Sequence, residues 1–339
     1  MKKKLLFAAL VLLLAVTVGL IGYDALTGKT AAADFFAMDT TVSVRFTGRV
    51  KQEEIDRVKA TVQHLDTDLL SRTSEKSEIF AVNRAHGGTV SEQTAAWLQT
   101  LRELEEKSDH AFAADLGALT ELWGIGTENE RVPDGNEIQE ALAHIKKWNV
   151  DGTNVSVDDG AILDLGAVGK GIACDEIRNE LQKTAAKKAI AAVGGSVLLY
   201  AEKPNESFRV GIRDPRGEIN DYAAVLTVGS GCISTSGNYE RVFTAPDGKR
   251  YHHIFDPVTG YPAESGLLSV TVLCESGLLS DALSTACFVL GYEKSVGLLQ
   301  AYGAKAVFIT EDDRVLTIGD LAGQLAITAE RYVFAEDSI

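Results

Sequence analysis

Between Ala189 and Leu273 the chain sets down short strand-like runs one after another, and this limits its fold more than any other feature. The runs are Ala189–Val193, Val197–Ala201, Phe208–Arg213, Ala223–Val228, Tyr251–Phe255 and Leu268–Leu273. They are short, rich in β-branched and apolar residues, and bounded by turn residues. Helical patterns stand mostly apart from them. Residues 51–70 place Ile55, Val58, Val62, Leu65 and Leu69 on one helical face. Residues 92–107 do the same with Trp97, Leu98, Leu101 and Leu104, and Ile138, Leu142 and Ile145 mark a shorter helix. Earlier strands are expected at Thr41–Phe46 and Ala161–Leu165, and a later one at Ala306–Thr310. Helices are expected from Gly169 to about Thr184, through Ser280–Leu290, and over 292–302. Hairpin-like strands interleaved with helices, without strict strand–helix–strand alternation, read as an α+β fold. With only 6 prolines and no linker-like stretch from 38 to 335, the 339 residues read as one compact body, or two closely packed lobes.

The N-terminus is separate in character. Lys2, Lys3 and Lys4 precede an uncharged run from Leu5 to Gly22, close to a membrane span in length. The basic end is expected to stay in the cytoplasm, which places the body outside the membrane. Ala31-Ala32-Ala33 contains an A-x-A pattern but lies far from the apolar run. Residues 1–30 are therefore read as an uncleaved anchor in preference to a cleaved signal, and 31–339 as the functional domain. Cleavage would leave that domain secreted. Leu20-Ile21-Gly22-Tyr23 has Tyr where a lipoprotein signal needs Cys, so no thioether lipid can form there.

The formal charge of -15 excludes general nucleic-acid binding, which needs clustered Lys and Arg to neutralise phosphates. An anionic small molecule would need a local remedy, such as a cation or a helix N-terminus. The cysteines Cys174, Cys232, Cys274 and Cys287 form no CxxC pair and sit among small apolar residues, so they read as buried free thiols.

Several stretches could carry chemistry. In Asp164-Leu165-Gly166-Ala167-Val168-Gly169-Lys170-Gly171 a strand runs through a glycine-rich loop into a helix. That geometry suits a phosphate at the helix N-terminus, and equally a tight turn with a surface lysine. It is not a Walker A loop. Gly194-Gly195 reads as a hairpin turn. Thr235 and Ser236 belong to a run of hydroxyls. His252 and His253 would face opposite sides of an extended strand, with His253 and Phe255 on one side. That weakens a two-histidine metal site and leaves one imidazole free to act as a base, or simply to sit at the surface. Asp281 and Thr285 stack at i and i+4. They read either as a helix cap with a back-bonded hydroxyl, or as hard oxygen ligands for magnesium or calcium.

Taken in order, these pieces resemble the ApbE family of FAD:protein FMN transferases over about residues 35–310. The resemblance rests on Met38-Asp39-Thr40-Thr41, Ser77-Glu78-Ile79 with Asn83-Arg84, and Leu122-Trp123-Gly124-Ile125-Gly126. It continues through the Asp164–Gly171 loop, Val193–Ser196, Thr235–Tyr239, His253–Gly260 and Ser280–Ala286. It implies a T-fold-related α+β body of two packed lobes with an FAD groove between them. It implies an enzyme that moves the FMN half of FAD onto a Ser or Thr hydroxyl of a target protein and releases AMP. Met38, Leu122, Trp123, Gly124, Asp164, Lys170, Thr235, Ser236 and Phe255 would contact FAD. Asp281, Thr285 and the carbonyl of Ala167 would hold Mg2+ (or Mn2+ or Ca2+). His253 would deprotonate the acceptor. The acceptor would be an exported segment of a membrane redox-complex subunit. Two other readings stay open: a metal-dependent FAD pyrophosphatase, and a non-catalytic module that stores or delivers FAD.

The chain departs from the family pattern in three places. Ser71–Ser74 supplies no aromatic residue, Ser196 stands where many members have Asp or Asn, and Ser284 stands where some have a further acid. The last implies weaker metal binding.

Overall fold

The computed structural model describes residues 30–218 and 220–335. The expected anchor at residues 1–30 lies almost wholly outside them. Among the described residues no helix is long and apolar enough to cross a membrane.

A nine-stranded sheet forms the backbone of the molecule. Its spatial order is Thr30–Ala37, Thr40–Gly48, Ala186–Val193, Ser196–Ala201, Gly231–Gly237, Leu267–Cys274, Lys305–Thr310, Arg314–Ile318 and Val333–Phe334. All neighbours are antiparallel except the last pair. The α+β reading holds: neighbouring strands are antiparallel but for that pair, joined by short turns at Ala37/Thr40, Val193/Ser196 and Thr310/Arg314 and by longer excursions, some of them helical, elsewhere.

Strand alternation divides the apolar side chains between two cores. Leu198, Cys232, Val270 and Val272 face the helices Gln52–His64, Gly169–Leu181 and Gly277–Leu290. Leu199, Ile233, Val307 and Val315 face a three-stranded sheet built from Phe208–Arg213, Tyr222–Val228 and Leu325–Ile327. A third core joins the short helices Gly117–Trp123 and Gly135–Leu142 to the hairpin Val242–Thr244/Arg250–His252. All four cysteines are free thiols, three buried and Cys274 half-buried.

Three local expectations need correction. The helix over 51–70 is α-helical only to His64. Leu65–Leu70 widens into a π-helical turn, a form that recurs where a side chain is re-aimed. Here Asp66 accepts the Met38 N–H at 2.8 Å. Ala161–Leu165 is not a ladder strand, since only Ile162 bridges, to Leu116. The side chain of Asn83 stands in for a neighbouring strand, donating to the Leu163 carbonyl and accepting the Leu163 N–H. The strand at Tyr251 stops at His252. His252 Nδ1 accepts the Ile254 N–H, which bends the chain at His253.

Candidate active site

A cleft of about 440 Å³ opens where the Thr40, Gly195 and Ser236 ends of the main sheet meet the third core. Its floor comes from the loop before the Gly169–Leu181 helix and from one face of the Gly277–Leu290 helix.

These two helices cross without side chains between them. A Cβ at Gly171 would lie 2.1 Å from the Gly277 carbonyl oxygen, and one at Gly277 would lie 2.2 Å from the Gly171 oxygen. The close approach brings the Gly171 N–H to Asp281 Oδ2 at 2.8 Å. Asp281 Oδ1 accepts from Ser196 Oγ at 2.9 Å, and Ser196 Oγ accepts from Ser234 Oγ at 3.1 Å. Asp281 is 6% exposed and makes no ion pair with a described residue. Burial raises its pKa, and the Lys170 charge and the hydrogen bonds from Gly171 and Ser196 oppose that shift. The sequence alone left Asp281 as a possible helix cap. The cap is instead Ser276, which accepts the Leu279 N–H. Thr285 does bond back, to the Asp281 carbonyl at 3.3 Å, while still lining the cleft.

The donor chemistry fits a hard divalent cation. A buried carboxylate that makes no ion pair with a described residue, the Thr285 hydroxyl and the Ala167 carbonyl segment all open onto one cleft floor. Among the described residues no three His, Cys, Asp or Glu side chains cluster as a metal site. A cation here would therefore be held by one carboxylate and neutral oxygens. Ser284 adds nothing to the charge: its hydroxyl is fully buried and bonds the Asp281 carbonyl and Ser236 Oγ.

The Asp164 carboxylate shapes the loop before the helix. Oδ1 accepts the Gly166 N–H, and Oδ2 meets Arg72 Nε at 3.1 Å. Lys170 lies one helical turn on, with Nζ 3.4 Å from the Gly166 carbonyl oxygen.

His253 stands on the cleft wall. Its Nδ1 lies 3.1 Å from the Glu240 carbonyl oxygen, which can only accept, so the proton sits on Nδ1. Burial, and then the nearby Arg241 charge, lower its pKa to about 4. The imidazole is thus neutral near pH 7, with Nε2 as a free acceptor. His252 lies behind it, buried against Phe288, with Nε2 donating to the Ala263 carbonyl.

Met38, Asp164, Lys170, Thr235, Ser236 and Phe255 all line this cleft, as do Ala167, His253, Asp281 and Thr285. Leu122, Trp123 and Gly124 do not. Trp123 is wholly buried, with its Nε1 donating to the Gly260 carbonyl at 3.0 Å and its ring packed between Tyr251, Phe255 and Tyr261. Leu122 packs in the same core, and Gly124 is the left-handed cap of that helix. Thr120 and Ile125 supply the cleft surface there.

Sequence reading missed Asp66, Arg72, Phe112, Glu240 and Arg241, all on the cleft wall. Phe112 is an aromatic residue of this lining, but it is almost wholly buried in the core. None of the five stands in a recognisable motif of its own.

Known proteins resemble this chain over most of its length. The sequence model of the ApbE family matches residues 38–308. An FAD:protein FMN transferase of Treponema pallidum is 36% identical over 288 residues, covering 78% of this chain and 79% of its own. One from Klebsiella pneumoniae is 34% identical over 258 residues, covering 74% and 80%. The crystal structure of the ApbE protein of Thermotoga maritima superposes with a TM-score of 0.76 at 33% identity, over 84% of this chain and 95% of that one. The flavinyl transferase ApbE of Pseudomonas stutzeri, in its apo form, gives 0.72 at 28% identity, over 84% and 92%.

Proposed function

The chain belongs to the ApbE family, and from that premise we propose how its cleft works. The protein is an FAD:protein FMN transferase, an enzyme with a protein acceptor. FAD lies along the cleft with its pyrophosphate over the Gly166–Lys170 loop, where Lys170 and the helix N-terminus meet its negative charge. Met38, Asp164, Thr235, Ser236 and Phe255 line the remainder of the path.

Asp281, Thr285 and the Ala167 carbonyl would hold the cation, Mg2+ (or Mn2+ or Ca2+). When bound, it would offset the pyrophosphate charge and polarise the phosphorus. His253 Nε2 takes the proton from a Ser or Thr hydroxyl of the acceptor. The acceptor oxygen bonds to the FMN phosphorus as the phosphorus–oxygen bond to AMP breaks, and AMP departs with that electron pair. The observation that carries this reading is that an imidazole oriented by the Glu240 carbonyl and a buried carboxylate with no ion pair to a described residue open onto the same cleft.

The basic-then-apolar N-terminus supports a body exported and held at the outer face of the cytoplasmic membrane. The acceptor would then be an exported segment of a membrane redox-complex subunit. Incubating the protein with FAD, Mg2+ and such a segment tests the reading. Covalent flavin fluorescence on a denaturing gel, with one AMP per label, is expected. FMN and AMP without label would mean a pyrophosphatase, and tight FAD binding with neither product would mean a storage module.

A further inference from the structure

Three cationic side chains line the cleft besides the imidazole: Arg72, Lys170 and Arg241. Two are engaged. Arg72 pairs with Glu121 at 2.6 Å and with Asp164 at 3.1 Å. Lys170 reaches the Gly166 carbonyl and faces Asp281. Arg241 is exposed and makes no ion pair with any described residue. Its backbone is also held at φ 44°, a left-handed conformation that strains a non-glycine residue. The preceding residue fixes this placement, because the Glu240 carbonyl is the group that accepts from His253 Nδ1. The strained turn therefore ties an unpaired guanidinium to the imidazole that faces the acceptor hydroxyl. In a protein of charge -15, a free cation held at such a point calls for an anionic or carbonyl oxygen from outside.

We propose that Arg241 binds the acceptor segment, its guanidinium taking a carboxylate or backbone carbonyl oxygen next to the Ser or Thr that His253 deprotonates. The inference rests on the transferase reading. FAD brings its own phosphates to Lys170 and the helix N-terminus, on the floor of the cleft. Arg241 stands on the His253 wall, the side from which the hydroxyl must attack in line, opposite the AMP leaving group.

The test uses the full chain, FAD, Mg2+ and an array of nonapeptides with a central Thr and varied flanks, read by covalent flavin fluorescence. On the peptide that wild type labels best, R241Q is expected to raise the acceptor KM by about tenfold or more, the range for losing a charged hydrogen bond. The Kd for FAD, measured by flavin fluorescence, is expected to move by less than about threefold. R241K recovers part of the loss, keeping charge but not the fork. R241G, freed of the left-handed strain, is expected to match wild type in thermal stability and still show the raised KM, which separates binding from a structural role. With R241E, labelling that shifts to peptides with Lys or Arg flanks identifies a side-chain carboxylate as the partner, and uniform weakening identifies a backbone carbonyl. An unchanged acceptor KM in R241Q, or an FAD Kd weakened by the same factor, overturns the inference alone. A wild-type enzyme that releases AMP but labels no peptide overturns the transferase reading together with it.

Discussion

Asp281 Oδ2 accepts the backbone N–H of Gly171 at 2.8 Å, across a helix crossing where Gly171 and Gly277 face each other with no Cβ between them. The carboxylate on the cleft floor is thus positioned by how closely two helices can approach.

That relationship gives the first prediction. In Gly171→Ala the new Cβ would lie 2.1 Å from a backbone oxygen and 2.8 Å from the Asp281 Cβ, neither of which can rotate away. The helices must separate, at about 1–3 kcal/mol. Because the displaced atoms include Asp281, flavin transfer should fall further than stability does. Melting temperature and single-turnover labelling check this together. A variant that melts several degrees lower yet labels at the wild-type rate would show that the crossing does not set the site.

Asp281→Asn addresses the carboxylate itself. Without metal, wild type buries a carboxylate that makes no ion pair with a described residue, and burial raises its pKa. The neutral amide keeps the volume and can still accept from Gly171, so D281N is expected to melt at or above wild type in chelator. Millimolar Mg2+ should then raise the melting temperature of wild type and leave D281N unmoved, since only a state that binds the ion gains from it. Transfer should drop at least about a hundredfold. An equal Mg2+ shift in both proteins would place the cation elsewhere.

His253 sets the pH profile. Burial and the Arg241, Lys170 and His252 charges around it lower its pKa to about 4, below the ordinary value of 6.5. A depressed histidine pKa keeps the basic, neutral form present at every pH above the folded value. Transfer kcat/KM should therefore hold level from pH 7 down to about 5 and fall below that, with no limb near 6.5. His253→Gln should lower kcat by about 10²- to 10⁴-fold, the usual contribution of general base catalysis. An acid limb centred at 6.5 would mean that the imidazole is solvated during turnover.

Short motifs made part of this site legible in the sequence. The Asp164–Gly171 loop, the Asp281/Thr285 stripe and His253 each depend on local spacing, and each reaches the cleft. What stayed hidden depends on distant partners. Arg72 acquires its role from Asp164, and Met38 is held by Asp66 through a π-helical turn that apolar spacing reads as ordinary helix. Trp123 misleads for the same reason: its indole partner, the Gly260 carbonyl, is 137 residues away, and nothing nearby in sequence says that the ring turns inward. The sheet was legible as α+β, but its strand order rests on pairings no local pattern encodes, such as Thr40–Gly48 beside Ala186–Val193.

Glu105 carries the last prediction, on stability. It is wholly buried, and its Oε1 accepts from the Ala114 N–H at 2.6 Å and from Trp148 Nε1 at 3.2 Å. Arg102 reaches its other oxygen at 3.0 Å. These donors favour the ionised form, as the Asp115 charge does not. Desolvation outweighs them and raises the pKa to about 7, from 4.5. A carboxyl whose folded pKa is raised contributes stability that is complete below 4.5. That contribution is lost as pH rises to 7, because the unfolded chain releases its proton first. Glu105→Gln removes this slope, so the difference in unfolding free energy between wild type and E105Q should shrink or reverse steadily between pH 4.5 and 7 and stay constant above. The consequence reaches the cleft, since Ala114 follows directly on the Ala111–Ala113 stretch that lines it. Urea unfolding of both proteins across that pH range measures the difference, and a value that does not change with pH would mean that Glu105 is ionised throughout.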